Sequence, residues 1–173
     1  YCKHRERDTW EVPGGHREPG ERILDLCAAP GGKSTHIAAL LHGDGLLVSN
    51  EIFPNRARIL SQNIERMGIP NALVCNESTE SMAAHFPLFF HRIVVDAPCS
   101  GEGMFRRDSH MVKDWLARGP RYYEPLQKEI LGHAYELLKP GGYLVYSTCT
   151  FSPMEDEGVV QWLLDEHPDM HLC

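Results

Sequence analysis

The sequence predicts an α/β protein with a doubly wound parallel sheet, and three observations support this fold class. Short apolar runs alternate with helical patterns along the chain, which is typical of strand–helix units in a parallel sheet. The chain has 173 residues, enough for one domain with a sizeable core and hardly enough for two. Glycines, acidic residues and cysteines follow the apolar runs, where such sheets hold ligands.

The first half of the chain contains three predicted strands and two predicted helices. The strands are "RILDLCA", "GLLVSNE" and the shorter "ALVCNE". A helix follows the first strand, since three apolar residues share one helical face, namely Ile37, Leu40 and Leu41. A second helix begins near Pro54 and ends at Gly68. We expect it to bury four apolar side chains, Ile59, Leu60, Ile64 and Met67.

The second half of the chain contains two further strands, "RIVVDAP" and "YLVYSTC", with a long helix between them. We expect this helix to follow Pro125 and to end at "KPGG", since apolar residues recur at helical spacing from Leu126 to Leu138. A last helix is predicted over residues 155–166. Five strand–helix units in succession imply right-handed crossovers.

The predicted strand ends collect residues that packing does not require. They are residues 25–32, Glu51, Glu77, residues 96–100 and residues 147–150. Because the carboxyl ends of parallel strands meet at one edge of the sheet, we expect the ligand site there.

Composition excludes several classes of protein. No apolar run approaches the roughly 20 residues of a membrane helix, and no charged-then-apolar signal segment begins the chain. We therefore expect a cytoplasmic protein without a membrane partner. None of the six cysteines forms a CxxC pair and no histidines cluster at ligand spacing, so we expect no metal site. The formal net charge of -7 weighs against nucleic-acid binding by bulk electrostatics alone.

The loop "CAAPGGKST" after the first strand partly resembles a triphosphate-binding loop. A triphosphate loop needs a glycine where Cys27 stands. Pro30 removes a backbone N–H from the would-be phosphate site. The small residues of the loop and Glu51, about twenty residues further on, instead suit a nucleoside without a phosphate chain. The loop therefore favours S-adenosylmethionine as cofactor, and a nucleoside triphosphatase is the weaker alternative.

Three long motifs make a family resemblance specific. "DLCAAPGGKSTHIA", "DAPCSGEGMFRRD" and "STCTFSPMEDEGVV" occur in that order. Together they resemble the Nol1/Nop2/Sun family of RNA cytosine-5 methyltransferases, and most of all the bacterial branch that modifies small-subunit ribosomal RNA. The resemblance covers residues 19–167.

The resemblance implies a Rossmann-like class I fold dependent on S-adenosylmethionine, and RNA as substrate. It implies that Cys149 is the nucleophile that adds to carbon 6 of cytosine and that Cys99 assists product release. DNA cytosine methyltransferases instead use the cysteine of their "PC" motif, so sequence order alone would favour Cys99. Asp96 is implied to contact the cofactor and to share a proton with cytosine N3.

The cofactor-binding residues implied by the resemblance lie at four strand ends. They are Cys27, Ala28, Ala29, Pro30, Gly31, Gly32, Lys33, Glu51, Glu77 and Asp96. Glu77 matches the family pattern loosely, because an aspartate is more usual there. For Lys33 two interpretations stay open, a contact with an acidic neighbour and a contact with the RNA backbone.

The chain also departs from the family pattern at both ends. Residues 1–18 are expected to form a poorly ordered lead-in, and residues 19–173 the catalytic core. The two strands that usually complete the sheet after the last helix are not expected here. An alternative is therefore a non-catalytic RNA-binding or ribosome-assembly factor that keeps the fold. The sequence leaves the oligomeric state open.

Overall fold

The computed structural model describes residues 20–173, which form a five-stranded parallel sheet with strand order β3-β2-β1-β4-β5. The strands are β1 Arg22–Asp25, β2 Leu46–Asn50, β3 Ala72–Cys75, β4 Phe90–Asp96 and β5 Leu138–Ser147. The chain runs outward from β1 to β3 and then crosses back to β4 on the other side of β1. The prediction of a doubly wound parallel sheet is confirmed. The lead-in predicted for residues 1–18 lies outside the described residues.

Six helices accompany the strands in the described part of the chain. They are α1 Gly32–Leu41, α2 Pro54–Arg66, α3 Thr79–His85, α4 Ser109–Ala117, α5 Pro120–Leu137 and α6 Glu157–Glu166. Four of them were predicted. Helices α3 and α4 were not, although each begins with a polar cap: the Ser78 hydroxyl accepts the Ser81 N–H, and the Asp108 carboxylate accepts the His110 N–H.

The helices cover both faces of the sheet. Successive residues of a strand point to opposite faces, so each strand supplies apolar side chains to the helices on both sides. Leu24 of β1 packs in a core with residues of α3, α5 and α6. Ile23, the preceding residue, packs with Ala38 and Leu41 of α1. Within residues 20–173, no helix has the length and hydrophobicity that spanning a bilayer requires.

The predicted burial of α2 is half wrong. Leu60 and Ile64 are buried together with Ala57, at helical spacing on one face. Ile59 is 48% exposed, since it lies about 100° around the helix from Leu60. Met67 is 60% exposed because α2 already ends at Arg66.

The predicted start of α5 was also wrong, since the helix begins five residues before Pro125, at Pro120. Pro125 withholds one N–H from the helical hydrogen bonds. Tyr123 offsets this loss: its ring is buried and its hydroxyl donates to Asp114 Oδ2 at 2.6 Å. The helix ends before "KPGG" as expected, but β5 begins at once with Leu138. The register of β5 against β4 shifts between Phe90 and Arg92 to accommodate the extra residues.

Candidate active site

Two cysteines meet at the carboxyl ends of the neighbouring strands β4 and β5. Asp96 and Ser147 are paired at these ends, and the Ala97 N–H donates to the Ser147 carbonyl oxygen at 2.9 Å. The loops that follow bring Cys99 and Cys149 together, with their sulfur atoms 3.2 Å apart. The predicted pair of catalytic cysteines is therefore adjacent in space.

The two thiols differ in environment. Cys99 is buried and Cys149 is exposed. Burial raises the pKa of Cys99 to about 12, although the backbone N–H of Cys149 donates to its sulfur at 3.3 Å and opposes the shift. Cys99 is therefore a neutral thiol at neutral pH, and Cys149 is the sulfur that a molecule from solution reaches.

Asp96 connects the cysteine loops with the loop after β1. Its Oδ1 accepts the Ser147 hydroxyl at 2.9 Å, and its Oδ2 lies 2.6 Å from the Lys33 ammonium nitrogen. Of the two interpretations of Lys33, the described structure therefore has the contact with an acidic neighbour.

A cavity of about 260 Å³ lies beside this ion pair. Its lining contains seven of the ten residues predicted to bind the cofactor, namely Cys27, Ala28, Ala29, Pro30, Gly32, Lys33 and Asp96. Gly31, in the same loop, has φ 110°. A Cβ atom added to Gly31 would lie 3.0 Å from Cδ1 of Leu60. A small residue is therefore needed at this turn.

Asp25 also lines this cavity. It was predicted to lie at the ligand edge of the sheet, but it was not among the predicted cofactor-binding residues. Its side chain is fully buried, and Oδ2 accepts the Ser34 hydroxyl at 2.7 Å. Its Oδ1 has no hydrogen-bond partner among residues 20–173. Burial raises the pKa of this carboxyl to about 6, against the opposing effects of Ser34 and Lys33. A buried oxygen without a partner, beside a cavity, is a candidate ligand contact.

Glu51 and Glu77 follow β2 and β3 as predicted, but neither belongs to the cavity lining. The Glu51 carboxylate accepts the Phe53 N–H at 3.0 Å and lies 3.4 Å from an Arg56 guanidinium nitrogen. Glu77 is exposed and accepts the Ser81 hydroxyl at 3.0 Å. The cofactor contacts of these two residues remain predictions.

A polar network that the sequence analysis missed joins the two cysteine loops. Ser100 and Thr150, which directly follow the cysteines, have hydroxyl oxygens 3.0 Å apart. Glu102 accepts the Thr150 hydroxyl and the Trp115 indole N–H, and these bonds hold its pKa low against the effect of burial. The residues stand in the quoted motifs, but sequence gives no sign that they meet.

The segment after Cys99 carries aromatic and basic side chains. The rings of Phe105 and Trp115 pack edge to face, with centroids 6.3 Å apart. Arg106 and Arg107, next along the chain, are exposed. Among residues 20–173, no three His, Cys, Asp or Glu side chains gather as a metal site would need.

Comparison with protein families gives a match over residues 16–173 to the family described as 16S rRNA methyltransferase RsmB/F. The chain is also 40% identical over 149 residues to ribosomal RNA small subunit methyltransferase F of Escherichia coli O139:H28. That alignment covers 86% of this chain and 31% of the relative. The chain thus spans about a third of the length of this relative.

Two solved structures are also similar to this chain. The structure of PH0851 is 32% identical with a TM-score of 0.80, and the match covers 87% of this chain and 34% of that one. NSun6 from Pyrococcus horikoshii, solved with SFG, is 31% identical with a TM-score of 0.72, covering 84% of this chain and 37% of that one. The Rossmann-like fold of these two structures is therefore the fold of this chain.

Proposed function

Because the chain belongs to the 16S rRNA methyltransferase RsmB/F family, we propose that it is the catalytic core of an enzyme that methylates carbon 5 of a cytosine in small-subunit ribosomal RNA. The observation that carries the proposal is the 3.2 Å separation of the Cys99 and Cys149 sulfur atoms. Carbon 5 of cytosine is a poor nucleophile, and adding a thiolate to carbon 6 activates it. A second thiol beside the first suits the release of that adduct.

The cavity residues fit S-adenosylmethionine as cofactor. This molecule carries a sulfonium and an ammonium group, and Asp25 and Asp96 offer carboxylates at the cavity wall. The Asp25 oxygen that has no partner within the described chain suits such a cation. Residues 27–33 would approach the nucleoside, and Glu51 and Glu77 remain proposed contacts. The NSun6 neighbour was solved with SFG, an analogue of this cofactor.

We assign the nucleophile to Cys149. Its exposed sulfur is accessible to a cytosine, whereas Cys99 lies behind it and is buried. The Cys149 thiolate forms a bond to carbon 6, which makes carbon 5 electron-rich. The cofactor, when bound, supplies the methyl group that carbon 5 takes up. A base then removes the carbon-5 proton, and the carbon–sulfur bond breaks.

Cys99 and Asp96 have supporting roles in this scheme. Cys99, a neutral thiol because of its raised pKa, lies in contact with the Cys149 sulfur and assists its departure. Asp96, held between Lys33 and Ser147, contacts both the cofactor and cytosine N3. A proton shared between Asp96 and N3 stabilises the charge that develops on the ring when sulfur adds.

The substrate cytosine must leave its stack to reach Cys149. A base inside a double helix cannot approach a sulfur atom at the edge of a sheet, so we propose a single-stranded or flipped-out nucleotide. Arg106 and Arg107, exposed just after the Cys99 loop, are candidates for phosphate contacts. A cytoplasmic location, which this substrate would require, remains a prediction.

The experiment that tests the proposal has two parts. Calorimetric titration should show binding of S-adenosylmethionine and none of magnesium ATP. Incubation with labelled S-adenosylmethionine and unmodified small-subunit ribosomal RNA should then yield 5-methylcytosine, identified by mass spectrometry of the digested RNA. A Cys149→Ser variant should bind the cofactor and yield no product. Methylation at another atom, or binding of ATP alone, would contradict the proposal.

A further inference from the structure

We infer that Glu155, together with Gln127, is a positioning pair that holds Cys99 against Cys149. This inference deepens the proposed function and rests on it for its catalytic consequence. Neither residue lines the cavity beside the loop after β1. The hydrogen bonds of Glu155 and Gln127 are also not made to the Cys99 and Cys149 sulfur atoms, which contact each other. Glu155 and Gln127 instead contact the residues that flank the cysteines in the chain.

Both neighbours of Cys99 are held by this pair. The Gln127 side-chain N–H group donates to the Pro98 carbonyl oxygen at 2.9 Å. The Ser100 backbone N–H donates to Glu155 Oε2 at 2.9 Å, and the Ser100 hydroxyl donates to Oε1. Gln127 and Glu155 are themselves joined, since the amide also donates to Oε2 at 2.9 Å. The backbone on either side of Cys99 is therefore fixed by one buried unit.

The same carboxylate reaches the loop of Cys149. Thr150, the residue after Cys149, has its hydroxyl oxygen 3.3 Å from Glu155 Oε1. The main chain of Glu155 is held as well, because the Tyr146 hydroxyl donates to its carbonyl oxygen at 2.8 Å. Glu155 thus connects the residues that directly follow the two cysteines, which are 50 positions apart in the chain.

Stability alone does not explain these two side chains. Glu155 and Gln127 are both fully buried, and burying a carboxylate is costly even when it is well hydrogen-bonded. Gln127 Oε1 is also left without a hydrogen-bond partner in the described part of the chain. Apolar residues of similar volume would often pack there at no loss. The arrangement is consistent with a role in fixing the cysteine loops rather than in stabilising the core.

The test measures how well Cys99 is shielded, and it needs no RNA. Wild-type protein, Glu155→Gln and Gln127→Met are treated with iodoacetamide, and the alkylation rate of each cysteine is followed by peptide mass spectrometry. Losing one such hydrogen bond should make opening of the Cys99 loop, and hence its alkylation, about tenfold faster. Cys75, at the end of β3 on the opposite edge of the sheet, is the internal reference, and S-adenosylmethionine affinity should not change.

Leu47→Val is the matched control, because Leu47 is fully buried in the core cluster under α1, away from the cysteines. If Cys99 alkylation rises only in the two test variants, the positioning role is supported. An unchanged Cys99 rate in Gln127→Met, or an equal rise in Leu47→Val at the same loss of melting temperature, would overturn it. Gln127→Met decides if Glu155→Gln does not fold. Because alkylation is independent of methyl transfer, failure of the proposed function would be seen separately.

Discussion

The Gly103 N–H donates to the Cys149 carbonyl oxygen at 2.8 Å, and this contact leaves no space for a side chain at position 103. A Cβ on Gly103 would lie 2.7 Å from the same oxygen. The loop after Cys99 is therefore packed directly against the backbone of the proposed nucleophile. The closeness of the two cysteines depends on the absence of a side chain here.

Gly103→Ala is expected to separate the two loops. The overpacking should cost about 1–3 kcal/mol of unfolding free energy and abolish most of the methyl transfer, while cofactor affinity persists. Urea denaturation, calorimetry and a methyl-transfer assay measure the three quantities. Gly132→Ala is the control, since Gly132 lies inside α5 with its nearest contact at 3.9 Å. That change should stabilise the protein slightly. Full activity in Gly103→Ala would contradict the account of the loops.

The Lys33→Ala variant tests whether the Lys33–Asp96 ion pair serves methyl transfer or only stability. The Lys33–Asp96 pair is partly exposed, so its loss should cost less than about 1 kcal/mol of stability. Methyl transfer should nevertheless fall about tenfold to hundredfold, by analogy with the loss caused by removing an outer-shell partner of a metal ligand. Lys128→Ala breaks a pair of similar length, 2.7 Å to Glu124 on α5, and should leave methyl transfer unchanged. Equal activity in the two variants would argue against a role for Lys33.

Asp25 makes a prediction about pH. Its pKa is raised from 3.8 to about 6 in the folded protein, so between these values the folded state binds more protons than the unfolded state. The free energy of unfolding should therefore fall as pH rises through this window. The Asp25→Asn variant lacks this loss. Its free energy of unfolding should therefore rise relative to that of wild type by up to about 3 kcal/mol between about pH 4 and pH 7.

Urea denaturation at several pH values measures this difference. Asp165→Asn, at an exposed carboxylate of α6, is the control, and its difference from wild type should stay within about 0.5 kcal/mol at every pH. If the difference in unfolding free energy between Asp25→Asn and wild type does not depend on pH, the pKa of the Asp25 carboxyl is not raised by burial.

The sheet was predictable from sequence because its signals are local. Apolar runs such as "RIVVDAP" and helical spacing within "THIAALL" identify strands and helices without knowledge of the fold. The errors arose where tertiary contacts override local rules. Pro125 lies inside α5. The nearby Tyr123 is buried and its hydroxyl is hydrogen-bonded to Asp114, a contact that no local sequence pattern indicates.

The site was predictable to the extent that its residues stand in motifs. The resemblance singled out Cys99, Cys149 and Asp96, and the fold brings the two cysteines into contact. Asp25 was placed at the ligand edge but was not assigned a cofactor contact, because an aspartate at a strand end is common and its buried, unpartnered oxygen is a property of the folded chain. Glu155 was missed for the same reason, since its partners Ser100 and Gln127 are distant in sequence.

The central claim is that Cys149 forms the covalent bond to cytosine and that Cys99 assists its release. The most direct measurement is adduct trapping: wild type, Cys99→Ala and Cys149→Ala are incubated with S-adenosylmethionine and small-subunit ribosomal RNA, then separated on denaturing gels. The account predicts that Cys99→Ala accumulates a covalent protein–RNA species and that Cys149→Ala forms none. Accumulation in Cys149→Ala with none in Cys99→Ala would contradict it and assign the nucleophile to the buried thiol.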